Sequence, residues 1–196
     1  MNASAAIVSE SSEVRERHWV AAARDGDPEA FRSLVQTYQD RLFTFLLRMV
    51  RHHEEAEDLA QEAFVRAWRH LDSYDPRWTF RTWLFSIARH LALNALRRPR
   101  ATILSIDSGG DETHPAPVLA SPNGSPADQA AIREQKRRLA RALEDLTPRA
   151  AMIFTLFYQE EMSIAEIAQT VGMSSGAVKV ALHRVRETLK TRMRPA

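Results

Sequence analysis

The chain has 196 residues, 44% of them hydrophobic and 27% charged, enough for one or two modest domains each with a real core, so a wholly disordered polymer is excluded. It contains no cysteine, which removes disulfide frameworks, thiolate metal sites and cysteine nucleophiles from consideration. No run approaches the roughly 18 apolar residues of a membrane span, and residues 1–12 are small and polar with no basic leader, so the expectation is a cytoplasmic chain without direct membrane insertion.

The net charge of +2 is unevenly spread. Residues 1–80 carry −4, residues 81–100 carry +5, residues 101–131 carry −4 and residues 132–196 carry +5. Two basic blocks separated by an acidic one suit a chain that meets a polyanion at two places; solvated helix faces would give the same pattern. Between residues 101 and 131 the periodic patterns stop. Pro115, Pro117, Pro122 and Pro126 appear with Gly109, Gly110 and Gly124 and without a single Lys or Arg, which describes a flexible acidic linker. Neither flank shows the β-branched alternation of strands. The expected fold class is therefore all-α, two small helical domains joined by a flexible linker: residues 13–98, a linker over 99–131, and residues 132–194. Residues 1–12 and the linker are expected to lack fixed structure.

In chain order, Asp27-Pro28 is an N-cap followed by a first-turn proline, and Phe31, Leu34, Val35, Tyr38, Leu42, Phe45 and Leu46 predict an amphipathic helix to about Val50. Acidic residues from Glu54 open a second helix. On its wheel Ala60, Phe64, Ala67, Trp68 and Leu71 share the inner side, while Glu55, Asp58, Glu62, Arg66 and Arg69 share the outer one. Residues 73–79 read as a loop, with Thr79 capping a helix from Phe80 to Arg98. That helix buries Phe80, Leu84, Ile87, Ala88, Leu91 and Ala95 and leaves Thr82, Ser86, Arg89, His90, Asn94, Arg97 and Trp83 on a polar face. Two readings of Trp83 and of the loop rings Tyr74 and Trp78 stand here: platforms for unpaired bases among arginines, or packing against a neighbouring helix.

In the second half, Thr147-Pro148 starts a helix with Met152, Ile153, Leu156 and Phe157 inward. Ser163 and Glu166 form a capping box for a short helix that Gly172 closes, and Ser174 caps the next, whose inner stripe is Val178, Leu182, Val185 and Leu189. This is a helix-turn-helix, with Ser175, Gly176, Lys179, Val180, His183 and Arg184 outward on its second helix. Lys179 and Arg184 suit phosphates, His183 a base edge and Val180 a thymine methyl; a purely structural helical hairpin is the alternative.

Six segments in order resemble one family, the extracytoplasmic-function (ECF) sigma factors, two-domain specificity subunits of bacterial RNA polymerase. They are Asp27-Pro-Glu-Ala-Phe31, Ala56-Glu-Asp-Leu-Ala-Gln-Glu-Ala-Phe64, Phe80-Arg-Thr-Trp-Leu84, Ala88-Arg-His-Leu-Ala-Leu-Asn-Ala-Leu-Arg-Arg98, Glu166-Ile-Ala168, and Gly176-Ala-Val-Lys179 with His183-Arg-Val-Arg186. The resemblance implies that Asp58, Leu59, Gln61 and Glu62 dock on the polymerase's largest subunit. It implies that Tyr74, Arg77, Trp78, Arg81, Trp83, Arg89, His90, Asn94 and Arg97 capture and help melt the minus-ten element, without ATP. Ser175, Gly176, Lys179, Val180, His183, Arg184 and Arg186 would read the minus-thirty-five element as duplex, and the acidic linker would thread the polymerase cleft. The implied partners are core RNA polymerase, promoter DNA and an anti-sigma factor; no cofactor, metal or catalysis is implied. Ala177, Val180-Ala181 and His90 depart from the family pattern, and the loss of a hydroxyl and a cation from the recognition helix is expected to weaken duplex binding.

Two other classes fit the sequence less well. A free-standing dimeric helix-turn-helix regulator needs a dimer surface or ligand domain, where this chain offers an acidic face and an aromatic-basic face instead. An enzyme acting on nucleic acid finds little support, since His52-His53-Glu54-Glu55 lacks His-Glu-x-x-His spacing, the other histidines are scattered, and no phosphate-binding glycine loop occurs.

Overall fold

The computed structural model describes residues 3–98 and 126–193, and all of the regular structure among them is helical. The helices are α1 (Ala3–Arg24), α2 (Pro28–Val50), α3 (His53–Arg69), α4 (Phe80–Arg97), α5 (Pro126–Glu144), α6 (Pro148–Phe154), α7 (Ile164–Val171) and α8 (Ser175–Met193). A 3-10 turn at Leu71–Ser73 follows α3, and a π-type turn at Thr155–Gln159 continues α6.

Local chemistry sets most of the boundaries. Asp27 accepts the Glu29 N–H at 2.9 Å ahead of Pro28, and α2 ends where Arg51 turns left-handed at φ 58°. The cap of α3 is His52, whose Nδ1 accepts from the Glu55 N–H at 3.3 Å, where the acidic run alone was expected to open the helix. Thr79 caps α4, Thr147 caps α6, and both halves of the Ser163–Glu166 capping box form on α7. Gly172, at φ 65°, closes α7 in the left-handed conformation that glycine adopts without a steric penalty.

Two expectations about order change. Residues 3–12, expected to lack structure, are the first turns of α1, whose later Val20 and Ala23 are buried. Residues 126–131, expected in the linker, belong to α5; the rest of that linker, 99–125, lies outside the described residues.

α2 is the centre of the fold and packs against α1, α3, α4 and α6. Its Leu34, Leu42, Phe45 and Leu46 are fully buried, the stripe that the three-and-four spacing predicts. The core of the first four helices is continuous with Met152, Ile153, Leu156, Met162, Ile167 and Val171, because α6 packs on α2 and α7 packs on α4. Leu146, Ala151 and Val185 form a smaller cluster where α6 meets α8.

Trp68 departs from the wheel. It is 40% exposed, with its ring centroid 4.9 Å from that of Phe31, because it sits at the edge of the α3 apolar stripe. Thr82, assigned to the polar face of α4, is 1% exposed because α7 covers it. Phe80 is fully buried between the Tyr38, Tyr74 and Trp83 rings. Phe80→Ala is expected to cost about 3–5 kcal/mol and Trp68→Ala no more than about 1.5 kcal/mol, read from urea unfolding midpoints; equal costs would contradict the burial difference.

Candidate nucleic-acid interface

Three surfaces carry the residues singled out above. On α3, Asp58 and Gln61 are exposed, Glu62 is half-exposed, and Leu59 is partly buried against the core. Arg66 Nε donates to Glu62 Oε1 at 2.6 Å, the i,i+4 pair that the spacing predicts. The acidic face therefore points outward on a helix anchored by Ala56, Ala63 and Ala67 beneath it.

The second surface is the loop before α4 and the outer side of α4. Tyr74, assigned to DNA, is only 8% exposed: its hydroxyl donates to the Trp78 carbonyl at 2.6 Å, and its ring packs against Phe80 and Trp83. Burial and the nearby Glu16 and Asp75 charges push its phenol up to about 12. Its ring is thus a support for the loop and is not presented to a base. Trp83 is half-buried in the same cluster, at 5.5 Å from Tyr74 and 5.8 Å from Phe80, and Trp78 is also half-buried.

Arg77 is exposed but folds onto Asp75, with Nε and Nη2 donating to Oδ2 at 2.8 and 2.6 Å. Hydrogen bonds from the Arg77 side chain and backbone hold the Asp75 carboxyl below its usual range. His90 Nδ1 lies 2.7 Å from the Ser86 carbonyl, and a carbonyl can only accept, so Nδ1 is the donor of this contact. His90, Asn94 and Arg97 are exposed.

The polar face of α4 is split by the second half of the chain. His90, Asn94 and Arg97 remain open and Ser86 is half-buried, while Arg81 and Thr82 turn toward α7 and Arg89 meets the Arg149 charge of α6. Arg81 donates to the Glu160 carbonyl and approaches Glu166 Oε1 at 3.4 Å. The Arg89 guanidinium is pushed down by burial and by the Arg149 and Arg97 charges, and its buried Nε has no hydrogen-bond partner.

The third surface is α8, where Ser175, Gly176, Lys179, Val180, His183 and Arg184 are all exposed, Val180 at 52%. A Cβ added at Gly176 meets nothing closer than Ser174 Oγ at 4.0 Å, so the first turn is open to an approaching body. Arg186 is exposed as well but directed aside: its Nε donates to Tyr158 Oη at 2.7 Å and its guanidinium lies over the Phe157 and Tyr158 rings. Among the described residues no group of three His, Asp or Glu is placed to hold a metal ion.

The sigma-70 region 2 profile matches residues 34–102, and the sigma-70 region 4 profile matches residues 136–189. The chain is also 31% identical to the ECF RNA polymerase sigma factor SigW of Bacillus subtilis, over 89% of this chain and 95% of that protein. The chain belongs to the ECF group of sigma-70 factors. As a sigma factor it serves promoter-directed transcription initiation by RNA polymerase. It is 29% identical to the ECF RNA polymerase sigma-E factor of Escherichia coli across 94% of this chain and 97% of that one. Among solved structures, CnrH in complex with the cytosolic domain of CnrY is similar at TM-score 0.63 and 25% identity, covering 90% of this chain and 96% of that one. The free-standing regulator weighed above is set aside by these matches.

The region 2 match falls on α2 to α4 and the region 4 match on α5 to α8, and the fold brings these two parts into contact. Arg41, Glu160 and Glu166, which join them, were not among the residues assigned to DNA; the sequence marked Glu166 as half of a capping box and as the start of the Glu166-Ile-Ala168 motif. In the polymerase-bound protein, Lys179→Ala is expected to weaken duplex promoter binding about equally across sequences and to lower the salt slope by about 1. His183→Ala is expected to change sequence preference with little effect on that slope, both read by titration at several salt concentrations.

Proposed function

We propose that this sigma factor docks on core RNA polymerase through α3 and carries promoter DNA at two places, a minus-thirty-five duplex on α8 and an opened minus-ten strand on α4 and its preceding loop. The observation that carries the reading is the simultaneous exposure of an acidic helix face on region 2 and of the first two turns of the recognition helix on region 4. An anionic helix face suits a basic partner protein, and cations with hydrogen-bonding side chains at the N-terminal end of a recognition helix suit a major groove.

On α8, Lys179 and Arg184 hold phosphates while Ser175, His183 and Val180 meet base edges, with Gly176 permitting close approach of the backbone. On region 2, His90, Asn94 and Arg97 form the open side of α4, and the exposed parts of Trp78 and Trp83 are the ring surfaces on which an unpaired base would stack. Unstacking a base costs a few kcal/mol, which a pocket and ring stacking offset without ATP. Arg77 contributes once the strand draws it from Asp75. Tyr74 acts from beneath by holding the Trp78 and Trp83 rings in place. Catalysis, a cofactor and a metal have no part in this reading, and the protein works in the cytoplasm with its polymerase. CnrH is solved in complex with the cytosolic domain of CnrY and the sigma factor RpoE in complex with the anti-sigma factor NepR, and by similarity an anti-sigma factor is the proposed inhibitor here.

The deciding experiment is run-off transcription with purified bacterial core polymerase and a pool of upstream DNA fragments. Transcripts that require both proteins are expected; their absence, combined with DNA binding by the protein alone at physiological salt, would overturn the reading. Asp58→Ala with Glu62→Ala is expected to reduce affinity for core without changing the unfolding midpoint, and unchanged affinity would remove α3 from the docking role. Trp83→Phe is expected to keep polymerase affinity and slow promoter opening, followed by permanganate reactivity of exposed thymines.

A further inference from the structure

The contact between regions 2 and 4 is built from the donors that a nucleic-acid backbone would use. Glu160 is 3% exposed, and Arg41 Nη2 lies 2.6 Å from its Oε2, off the axis of a directed hydrogen bond, so the contact is electrostatic. Arg81 donates to the Glu160 carbonyl. Glu166 Oε1 sits 3.3 Å from each of the Thr79 and Thr82 hydroxyls and 3.4 Å from Arg81 Nη2, at the N-terminal end of α4. Two carboxylates of region 4 thus occupy a cradle of two arginines, two hydroxyls and a helix N-terminus on region 2. That donor set is equally suited to phosphate oxygens.

The closed contact is well packed yet carries electrostatic penalties. Arg48 on α2 donates to Thr155 Oγ1 at 3.2 Å and lies over the Phe154 ring, Arg51 donates to the Leu146 carbonyl, and Thr170 Oγ1 donates to the Thr82 carbonyl at 3.5 Å. Against this, burial pushes the Glu160 carboxyl up despite Arg41 and Arg81. Arg89 is half-buried with its Nε unpartnered, and closure sets the like charge of Arg149 against it. A contact that buries one carboxylate and crowds two arginines is one that a competing polyanion can displace.

We propose that region 4 closes over region 2 as an intramolecular competitor of single-stranded DNA, the Glu160 and Glu166 carboxylates holding the place of backbone phosphates on Arg41, Arg81, Thr79 and Thr82. The inference rests on the minus-ten role proposed for α4 and adds Arg41, Thr79 and Thr82 to the phosphate-binding set. Closure engages Arg81 and fills the cradle with carboxylates, so strand binding and domain closure exclude one another, and each shifts the other by the same factor.

Two variants test this on the full chain. Glu160→Gln with Glu166→Gln removes both charges while glutamine keeps the capping box on α7. Thr82→Cys with Thr170→Cys places a disulfide across the contact in a chain with no other cysteine, so oxidation locks only the closed form. The probe is a fluorescein-labelled mixed-sequence single strand of about twelve nucleotides, within the usual range of site sizes. If the closed state is about nine-tenths populated, the double glutamine variant binds this strand about tenfold more tightly than the parent. The cysteine variant lacks the Thr82 hydroxyl in both redox states, so its oxidised form is compared with its own reduced form and is expected to bind the strand more weakly; Arg41→Ala in the glutamine background is expected to weaken binding again. Equal affinity of parent, glutamine variant and oxidised variant would overturn the proposal. The run-off assay separates the two readings: transcripts driven equally by oxidised and reduced protein sink the competitor and leave the sigma assignment standing. No transcripts from any form, with strand binding still controlled by the disulfide, sink the promoter role and leave the competition.

Discussion

One carboxylate joins the starts of two helices. Glu166 accepts the Ser163 N–H at 2.9 Å through Oε2, completing the cap of α7, and turns Oε1 to the hydroxyls and guanidinium at the start of α4. Burial pushes this carboxyl up, but the Ser163 hydrogen bonds and the Arg81 charge outweigh it and leave it below its usual range. An ionised group that serves both as a local cap and as a long-range partner fixes the height of region 4 on region 2. The packing of Ile167 and Val171, and the burial of Thr82, follow from that placement.

The division of α4 is the main consequence for function. An isolated amphipathic helix has an inner and an outer side; this one has an inner side against α2 and α3, a second covered strip under α7, and a remaining open strip. Residues only one position apart, Arg89 and His90, fall on different sides of that boundary. The open strip keeps hydrogen-bonding groups and Arg97 available, while Arg81 is engaged by Glu166 and Arg89 is half-buried with an unpartnered Nε. On the proposed reading, strand capture by the closed form is weakened where charge contributes most to nucleic-acid affinity.

The recognition helix shows the opposite economy. α8 meets α5, α6 and α7 through Val178, Leu182 and Val185, and this narrow stripe leaves the rest of its first turns in solvent. No comparable burial has to be undone before its side chains reach a groove. Arg186 is the exception: its hydrogen bond to Tyr158 and its place over two rings make it a brace between α8 and the turn after α6.

The helical class, the caps at Asp27, Thr79, Thr147 and Ser163, the helix-turn-helix and the outward positions on α3 and α8 were legible in the sequence, because each depends on residues within one or two turns of one another. The inner stripe of α2 was legible for the same reason, and the ordered motifs made the family resemblance readable. The burial of Tyr74, the exposure of Trp68, the extent of α1 and α5, and the covering of Arg81, Thr82 and Arg89 were not. A helical wheel sees one helix at a time, and it assigns a polar face to water unless another element is known to lie there. Glu166 shows the boundary most clearly: its spacing to Ser163 specified a cap, whereas its contacts with Thr79, Thr82 and Arg81 required two helices more than eighty residues apart to be brought end to end, which only packing of the whole chain decides.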